Sequence, residues 1–193
     1  MSEVCEPVSI STIGHSTHPI EEFISILQAY QVAQLVDIRT IPKSRHNPQF
    51  ARENLAGSLQ GAGIRYLHMP GLGGLRRAKA DSINTGWRNA SFRGFADYMQ
   101  TPEFRENLEA LIASAGERRT AIMCAEAVPW RCHRSLIADA LVARGIAVLE
   151  ILTAKEARPH RLTPFALIQG ADVTYPGEAE NLRLKFDAPD VMS

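Results

Sequence analysis

The chain has few aromatic residues, few lysines and no long apolar run, and these absences exclude several classes of protein. Aromatic residues are only 7% of the 193 residues, so recognition of bases by stacking has little support. No apolar run approaches the eighteen or so residues of a membrane helix. The N-terminus also lacks the charged and apolar segments of a secretory signal. We therefore expect a soluble, cytoplasmic protein without a membrane partner.

Cysteine is scarce and its count is odd. The three cysteines are Cys5, Cys124 and Cys132. An odd count in a chain of this length argues against a disulfide framework and for a reducing compartment. We expect free thiols.

The formal net charge is zero, so the whole chain offers no electrostatic argument for nucleic acid or an acidic partner. Residues 36–100, however, contain ten Lys and Arg against four Asp and Glu, a local excess of six positive charges. Seventeen of the 21 cations are Arg, whose planar fork binds carboxylates and phosphates. A small anionic ligand is therefore expected, and nucleic acid is an alternative with weaker support.

Strand patterns alternate with helical patterns along the chain. They predict an α/β fold: a Rossmann-like three-layer sandwich with a mainly parallel sheet and helices on both faces. We expect one domain over 1–193, with its core at about 8–168 and a C-terminal tail at about 169–193. The predicted strands cover residues 8–13, 34–38, 64–67, 121–124 and 146–152, with a small hairpin at 167–168 and 173–175.

In an open parallel sheet, ligands bind in the crevice outside the carboxyl ends of the strands. The loops that follow the predicted strands should therefore converge there. They carry chemically active residues, namely Gly14, His15, Ser16, Asp37, Arg39, His68, Cys124 and Glu126.

The densest group of such residues lies between Arg119 and Arg144, where a strand, a turn and a helix are predicted. We place Cys132 and His133 in the first turn of a helix over 130–143. The field of that helix, with Arg131 and Arg134, would lower the pKa of the Cys132 thiol and favour a nucleophile. Alternatively, Cys132 is a packed core residue.

Cys124, at the end of its strand, is the second candidate nucleophile. A phosphatase-type loop has five residues between Cys and Arg, whereas six separate Cys124 from Arg131. Pro129 also removes one amide donor. Both features argue against a tyrosine-phosphatase or rhodanese mechanism.

We expect neither a metal nor a cofactor. The spacing of Cys124, Cys132 and His133 matches no standard zinc motif, and the adjacent Cys132 and His133 should project in different directions from a helix. A Cys124/Cys132 redox pair is an open alternative. The glycines of 71–74 lack the dinucleotide-binding spacing.

The roles of four further residues stay open. Glu126 is either a general acid or base, or the ion-pair partner of Arg131 or Arg134. Asp37 with Arg39 either orients a ligand or forms a buried ion pair. His15 either transfers protons or binds an anion, on a loop where Ser16 is a possible helix cap.

The chain resembles the family catalogued as domain of unknown function 488, in its bacterial branch, over residues 8–168. The residues that carry this resemblance are Thr12–Ser16, Val36–Arg39 with Pro42 and Ser44, Leu72–Gly74, Cys124–Glu126, Cys132–Arg134, Asn84–Met99 and Pro159–Pro164. The resemblance implies an α/β fold and a presumptive active site of polar residues. It supplies no reaction.

These observations favour an enzyme with a Cys/His/Arg crevice that acts on a small anionic or phosphate-containing substrate. The alternative is a nucleic-acid or nucleotide binding module with structural cysteines. The candidate catalytic residues are Cys124, Cys132, His133, Glu126 and His15. The candidate substrate-binding residues are Gly14, Ser16, Asp37, Arg39, Ser44, Arg45, Arg131 and Arg134.

Overall fold

Strands and helices alternate through the part of the chain that the computed structural model describes, residues 8–177. Cys5 lies outside these residues. In chain order the elements are β1 (Ser9–Gly14), α1 (Ile20–Ala29), β2 (Gln34–Asp37), α2 (Arg52–Gly61), β3 (Arg65–His68), α3 (Ala90–Met99), α4 (Pro102–Glu117), β4 (Thr120–Cys124), α5 (Arg134–Val142), β5 (Ala147–Ile151), β6 (Ala157–Pro159), β7 (Leu167–Gln169) and β8 (Asp172–Thr174).

Six of these strands form one sheet in the order β3-β2-β4-β1-β5-β6. The first five are parallel to their neighbours, and β6 pairs with β5 in the antiparallel direction at the sheet edge. The predicted mainly parallel sheet is therefore confirmed. This strand order puts the carboxyl ends of β1, β2 and β4 side by side, so the loops after them open at one place.

Helices cover both faces of the sheet because successive residues of each strand point to opposite sides. On one face, Ile13 and Leu35 pack with Phe23 of α1 and Leu55 of α2. On the other face, residues such as Ile122 pack with side chains of α3, α4 and α5, including Phe95, Leu108 and Leu136. The three-layer sandwich is confirmed.

The sequence of α4 accounts for its position and length. The Thr101 side chain accepts a hydrogen bond from the Phe104 N–H, and Pro102 occupies the first turn, where its missing N–H costs nothing. Phe104, Leu108 and Leu111 recur at intervals of three and four residues and are buried. This face packs α4 against the sheet.

One predicted helix boundary and the predicted set of strands need correction. The helix expected over 130–143 begins only at Arg134, since Pro129–Arg131 forms a separate 3₁₀ turn. Strand β6 was not predicted, because its three residues are too few for an alternation pattern. The C-terminal hairpin is present as β7 and β8.

A buried carboxylate joins α5 to the segment that follows β5. Asp139, which has no exposure to solvent, accepts hydrogen bonds from His160 Nε2 (2.8 Å), from the N–H and hydroxyl of Thr163 (3.1 and 2.6 Å) and from the Tyr175 hydroxyl (2.8 Å). The other ring nitrogen of His160 lies 2.8 Å from Glu150 Oε1. The chain around Tyr175, which is fully buried, is thus part of the core, whereas 178–193 lie outside the described residues.

Among the described helices, none is long and apolar enough to cross a membrane.

The pairing of His160 predicts a specific dependence of stability on pH. Burial lowers the pKa of His160, but its hydrogen bonds to Asp139 and Glu150 outweigh this effect and raise the pKa from 6.5 to about 9. The stabilisation of the folded state by charged His160 is therefore complete below pH 6.5 and is lost as the pH rises through 9. We expect His160→Gln to lower the free energy of unfolding by about 3 kcal/mol at pH 6.5.

The difference in unfolding free energy between wild type and His160→Gln should then narrow by about 1.4 kcal/mol per pH unit up to pH 9. Chemical denaturation at several pH values measures it. Thr163→Val, which also removes a hydrogen bond to Asp139 but no titrating group, is the control and should give a nearly constant difference. A constant difference for His160→Gln would contradict the assignment.

Candidate functional site

A cleft of about 660 Å³ opens at the carboxyl ends of β1, β2 and β4. Its lining comes from the loops after these strands, from Gly74 and Leu75, and from the first turn of α3. The lining residues are His15, Ser16, Thr17, Arg39, Thr40, Ile41, Lys43, Ser44, Asn47, Gly74, Leu75, Ser91, Phe92, Cys124, Ala125, Glu126, Ala127, Arg131, Cys132 and His133.

The loop after β4 has its carbonyl groups bound by other parts of the fold. Cys124 and Ala125 accept hydrogen bonds from the N–H groups of His15 (2.9 Å) and Ser16 (3.0 Å). The guanidinium of Arg134 donates to the carbonyls of Glu126 and Ala127. Four consecutive carbonyl groups are therefore engaged, which fixes the backbone of the loop.

Gly14 allows this loop to lie against the end of β1. A Cβ atom on residue 14 would overlap with the carbonyl oxygen of Glu126 and lie 2.9 Å from the Cα of Ala127. Only glycine fits there. The contribution of Gly14 to the site is thus close backbone approach, as in other tightly packed glycines.

Cys124, Cys132 and His133 form a cluster on the floor of the cleft. Their sulfur and nitrogen donor atoms all lie within 4.8 Å of one another, and Cys132 Sγ is 3.7 Å from His133 Nδ1. His133 Nε2 lies 3.1 Å from the carbonyl oxygen of Leu72. Because a carbonyl only accepts, Nε2 carries a proton, and Nδ1 faces the sulfur atoms.

The two thiols of the cluster have opposite acidity. Hydrogen bonding by the Cys132 thiol, supported by His133 and by the backbone N–H of Glu126, lowers the pKa of Cys124 well below its ordinary value. The same hydrogen bond, together with burial, raises the pKa of Cys132. Cys124 is therefore the more acidic of the two thiols, and Cys132 is its hydrogen-bond donor.

This result corrects the expected outcome for Cys132, which precedes α5 together with His133 instead of forming its first turn. The charge and backbone N–H of Arg134 act to lower the pKa of Cys132, but the hydrogen bond to Cys124 and burial outweigh them. Arg134 was expected to bind substrate, but it is fully buried, does not line the cleft and donates from its two terminal nitrogens to the loop carbonyls.

His15 and Arg39 form a fixed network beside the cluster. Arg39 donates to both carboxylate oxygens of Asp37 (2.9 and 2.6 Å), to the carbonyl of Phe50 (2.8 Å) and to His15 Nε2 (3.2 Å). His15 Nδ1 donates to the Ser16 carbonyl (2.8 Å), and the ring stacks on Phe50 at 4.1 Å. Burial lowers the pKa of His15, which leaves it neutral with both nitrogens occupied. Of the two roles left open for Asp37 and Arg39, the buried ion pair is observed.

The rim of the cleft carries exposed charges. Lys43 and Arg131 line it, and within residues 8–177 neither forms an ion pair. Among the described residues, the exposed side chain of Glu126 accepts only the Val128 N–H, at 3.4 Å. It forms an ion pair with neither Arg131 nor Arg134. These three charges are therefore available to a ligand.

The structure brings most of the predicted residues together. Those that line the cleft are His15, Ser16, Arg39, Ser44, Cys124, Glu126, Arg131, Cys132 and His133. Three others, Gly14, Asp37 and Arg134, do not line the cleft but contact the residues that do. Arg45 is exposed and does not contribute to the lining. Ser16 has a φ of 46°, an uncommon conformation for a residue other than glycine.

Sequence reasoning assigned no role to Leu72–Gly74, although these residues were part of the family resemblance. The Leu72 carbonyl orients His133. A Cβ atom on Gly74 would lie 2.7 Å from His133 Cγ, so glycine is needed for the ring to lie there. The adjacent glycines Gly73 and Gly74 were the available signal, since a glycine often marks a place where another segment approaches the backbone closely.

The expected divergence of Cys132 and His133 is wrong. Cys132 is extended (φ −128°, ψ 141°) and His133 is helical (φ −57°, ψ −16°), and this change of conformation turns both side chains to the same side. Cys124, Cys132 and His133 are thus the described residues suited by type and distance to bind a metal.

Gly14→Ala should displace the loop after β4. We expect it to lower the free energy of unfolding by about 1 to 3 kcal/mol and to slow alkylation of Cys124. Gly57→Ala is the matched control, since Gly57 is exposed within α2 with nothing near its Cβ position; it should raise stability by about 0.5 to 1 kcal/mol. Equal effects of the two substitutions would contradict this role of Gly14.

Cys132→Ala removes the hydrogen-bond donor to Cys124 and should raise the pKa of Cys124. In the metal-free protein with Cys5→Ser, we expect the midpoint of Cys124 alkylation rate against pH to move upward by about one unit or more. Cys132→Ser keeps a donor and should move it less. Mass spectrometry after timed alkylation measures each rate, and an unchanged midpoint in Cys132→Ala would refute the assignment of Cys124 as the more acidic thiol.

Comparison with known proteins identifies a family. The model of a family described as domain of unknown function DUF488 matches residues 19–141, more than half of the chain. Neither the curated proteins nor the solved structures include a match. The matched segment contains Arg39, Cys124 and Cys132 but begins after His15, so it is narrower than the resemblance over 8–168. The chain belongs to the family of the domain of unknown function DUF488.

Proposed function

We propose that the protein is an enzyme that binds a small anionic, phosphate-containing substrate in the cleft and attacks it with the sulfur of Cys124. The observation that carries this proposal is the conformation of the loop after β4, whose successive carbonyls of residues 124–127 are all bound by donors of His15, Ser16 and Arg134. Anion binding and the nucleophile then belong to the same loop.

The backbone N–H groups of this loop supply the anion-binding donors. In a planar trans peptide, the C=O of one residue and the N–H of the next point in opposite directions. The carbonyls of residues 124–126 point towards His15, Ser16 and Arg134, so the N–H groups of residues 125–127 point the other way. The Glu126 N–H acts on the Cys124 sulfur. Consecutive N–H groups of this kind bind phosphate and other oxyanions.

Charged side chains at the rim complement the N–H groups. Lys43 and Arg131 are exposed, line the cleft and have no ion-pair partner among the described residues. An anion in the cleft would thus meet backbone donors at its base and cations at its entrance. Because Arg131 lies on the rim, it does not enclose the anion as the arginine of a phosphatase loop does.

The cluster supports a two-step group transfer. The Cys124 thiolate forms a bond to the electrophilic atom while the bond to the leaving group breaks, and the Cys132 thiol, within 4.8 Å of the Cys124 sulfur, gives its proton to the leaving group. Water then cleaves the bond to Cys124, which leaves as the thiolate, and His133 Nδ1 accepts the proton of this water. His133 returns this proton to the Cys132 sulfur, 3.7 Å away, so both groups are restored.

The alternative of a nucleic-acid binding module has less support. Trp87, an aromatic residue of the basic segment 36–100, packs against Phe92, Phe165 and Tyr175 at centroid distances of 4.7, 4.9 and 5.6 Å. Arg76 lies over the ring of Tyr98 and donates to the carbonyls of Gly71 and Gly73. These groups of the basic middle segment are used within the fold.

Turnover of a panel of chromogenic phosphate esters by the metal-free protein tests the proposal. We expect Cys124→Ser to abolish turnover. Arg131→Gln should raise KM roughly tenfold or more with a smaller effect on kcat, because a charged contact at the rim contributes about 1.5 to 3 kcal/mol to binding. Arg118→Gln is the control, since Arg118 is exposed at the opposite end of β4.

Inorganic phosphate should also slow alkylation of Cys124 in wild type and less so in Arg131→Gln. Absence of both turnover and phosphate protection would refute the proposal.

A further inference from the structure

We infer that Cys124, Cys132 and His133 form a three-ligand site for Zn²⁺. This role of the cluster goes beyond the proposed catalysis and does not depend on it. It stands on the distances among the donor atoms and on the contacts that orient the imidazole.

The distances fit a tetrahedral ion. With bonds of about 2.3 Å to sulfur and about 2.0 to 2.1 Å to nitrogen, neighbouring sulfur and nitrogen ligands of zinc lie about 3.6 Å apart. Cys132 Sγ and His133 Nδ1 are separated by 3.7 Å. All three donor atoms fall within 4.8 Å of one another, so Cys124 needs only a small adjustment to become the third ligand.

The imidazole is oriented as metal-binding histidines usually are. Its Nε2–H donates to the Leu72 carbonyl at 3.1 Å, which leaves Nδ1 as the coordinating atom and matches the outer hydrogen bond typical of zinc ligands. Phe95 packs against the ring at a centroid distance of 4.9 Å, and Gly74 lies close to it. The ligand therefore loses little conformational freedom on binding an ion.

The donor set selects the metal. Two thiolates and an imidazole favour Zn²⁺ over Mg²⁺ or Ca²⁺, which prefer oxygen ligands. The two thiolate charges neutralise the ion. Three protein ligands leave a fourth position open, and since Cys124 and His133 line the cleft, water or an anion can occupy that position.

Zinc binding and sulfur nucleophilicity are mutually exclusive at Cys124. When a lone pair of the thiolate forms the bond to zinc, the sulfur is much less available for attack on an alkylating agent or a substrate. The metal-free form would carry out the proposed sulfur chemistry, and the zinc form would suspend it. Protection from alkylation is thus a direct readout of coordination by Cys124.

Titration of the metal-free, full-length protein with Zn²⁺ against a chromophoric zinc indicator tests the inference. We expect one equivalent to bind, with at least 100-fold weaker binding in Cys132→Ala and in His133→Ala. Cys5→Ser, which leaves the cluster intact, is the matched control and should bind as wild type does. One equivalent of zinc should also block alkylation of Cys124, and a chelator should restore it.

Co²⁺ in place of Zn²⁺ reports the ligands themselves. We expect the visible bands of tetrahedral Co²⁺ and the charge-transfer band of thiolate coordination in wild type, and loss of the latter intensity in Cys132→Ala. Circular dichroism without metal shows that each variant is folded. The inference is overturned if the indicator keeps the zinc, or if folded Cys132→Ala and His133→Ala bind as tightly as wild type. Neither result affects turnover by the metal-free protein, so failure here is distinct from failure of the proposed function.

Discussion

The guanidinium of Arg134, fully buried at the start of α5, donates to the carbonyls of Glu126 and Ala127. A hydrogen bond from a charged donor contributes about 1.5 to 3 kcal/mol, so this single side chain stabilises the tight loop after β4. Gly14 leaves the space that the loop needs at the end of β1. Together these two contacts hold the loop that follows Cys124.

The polar residues of the crevice divide into those that shape it and those that remain free to react. His15, Asp37 and Arg39 satisfy one another and nearby backbone groups, and such saturated networks give rigidity more than reactivity. The other side chains form fewer hydrogen bonds within the fold. They are Lys43 and Arg131 on the rim and the cluster of Cys124, Cys132 and His133. A residue type that suggests chemistry in a sequence is therefore informative only when its hydrogen-bonding capacity is not already used.

The parallel sheet, the sandwich and the convergence of the strand-end loops could be predicted because hydrophobic periodicity and the crevice rule depend on local pattern and topology. The role of Arg134 could not, since the same sequence suits a guanidinium facing a ligand or facing a carbonyl. Likewise, Pro129 and the 3₁₀ turn delay α5 and bring the Cys132 and His133 side chains together, a result of backbone dihedral angles that residue spacing does not encode. The contribution of Gly74 from a distant loop depends on tertiary packing with His133.

The carboxylate of Asp139 also bears on how the protein is made. Its partners His160, Thr163 and Tyr175 all follow it in the chain, so during synthesis α5 emerges from the ribosome before any of the groups that neutralise or solvate its buried charge. Until the chain has been extended to His160 and Thr163, packing of α5 against the sheet would bury an unpaired carboxylate, which is unfavourable. The packing of the helix that holds the loop after β4 is thus completed only after β5 and the segment following it have been synthesised.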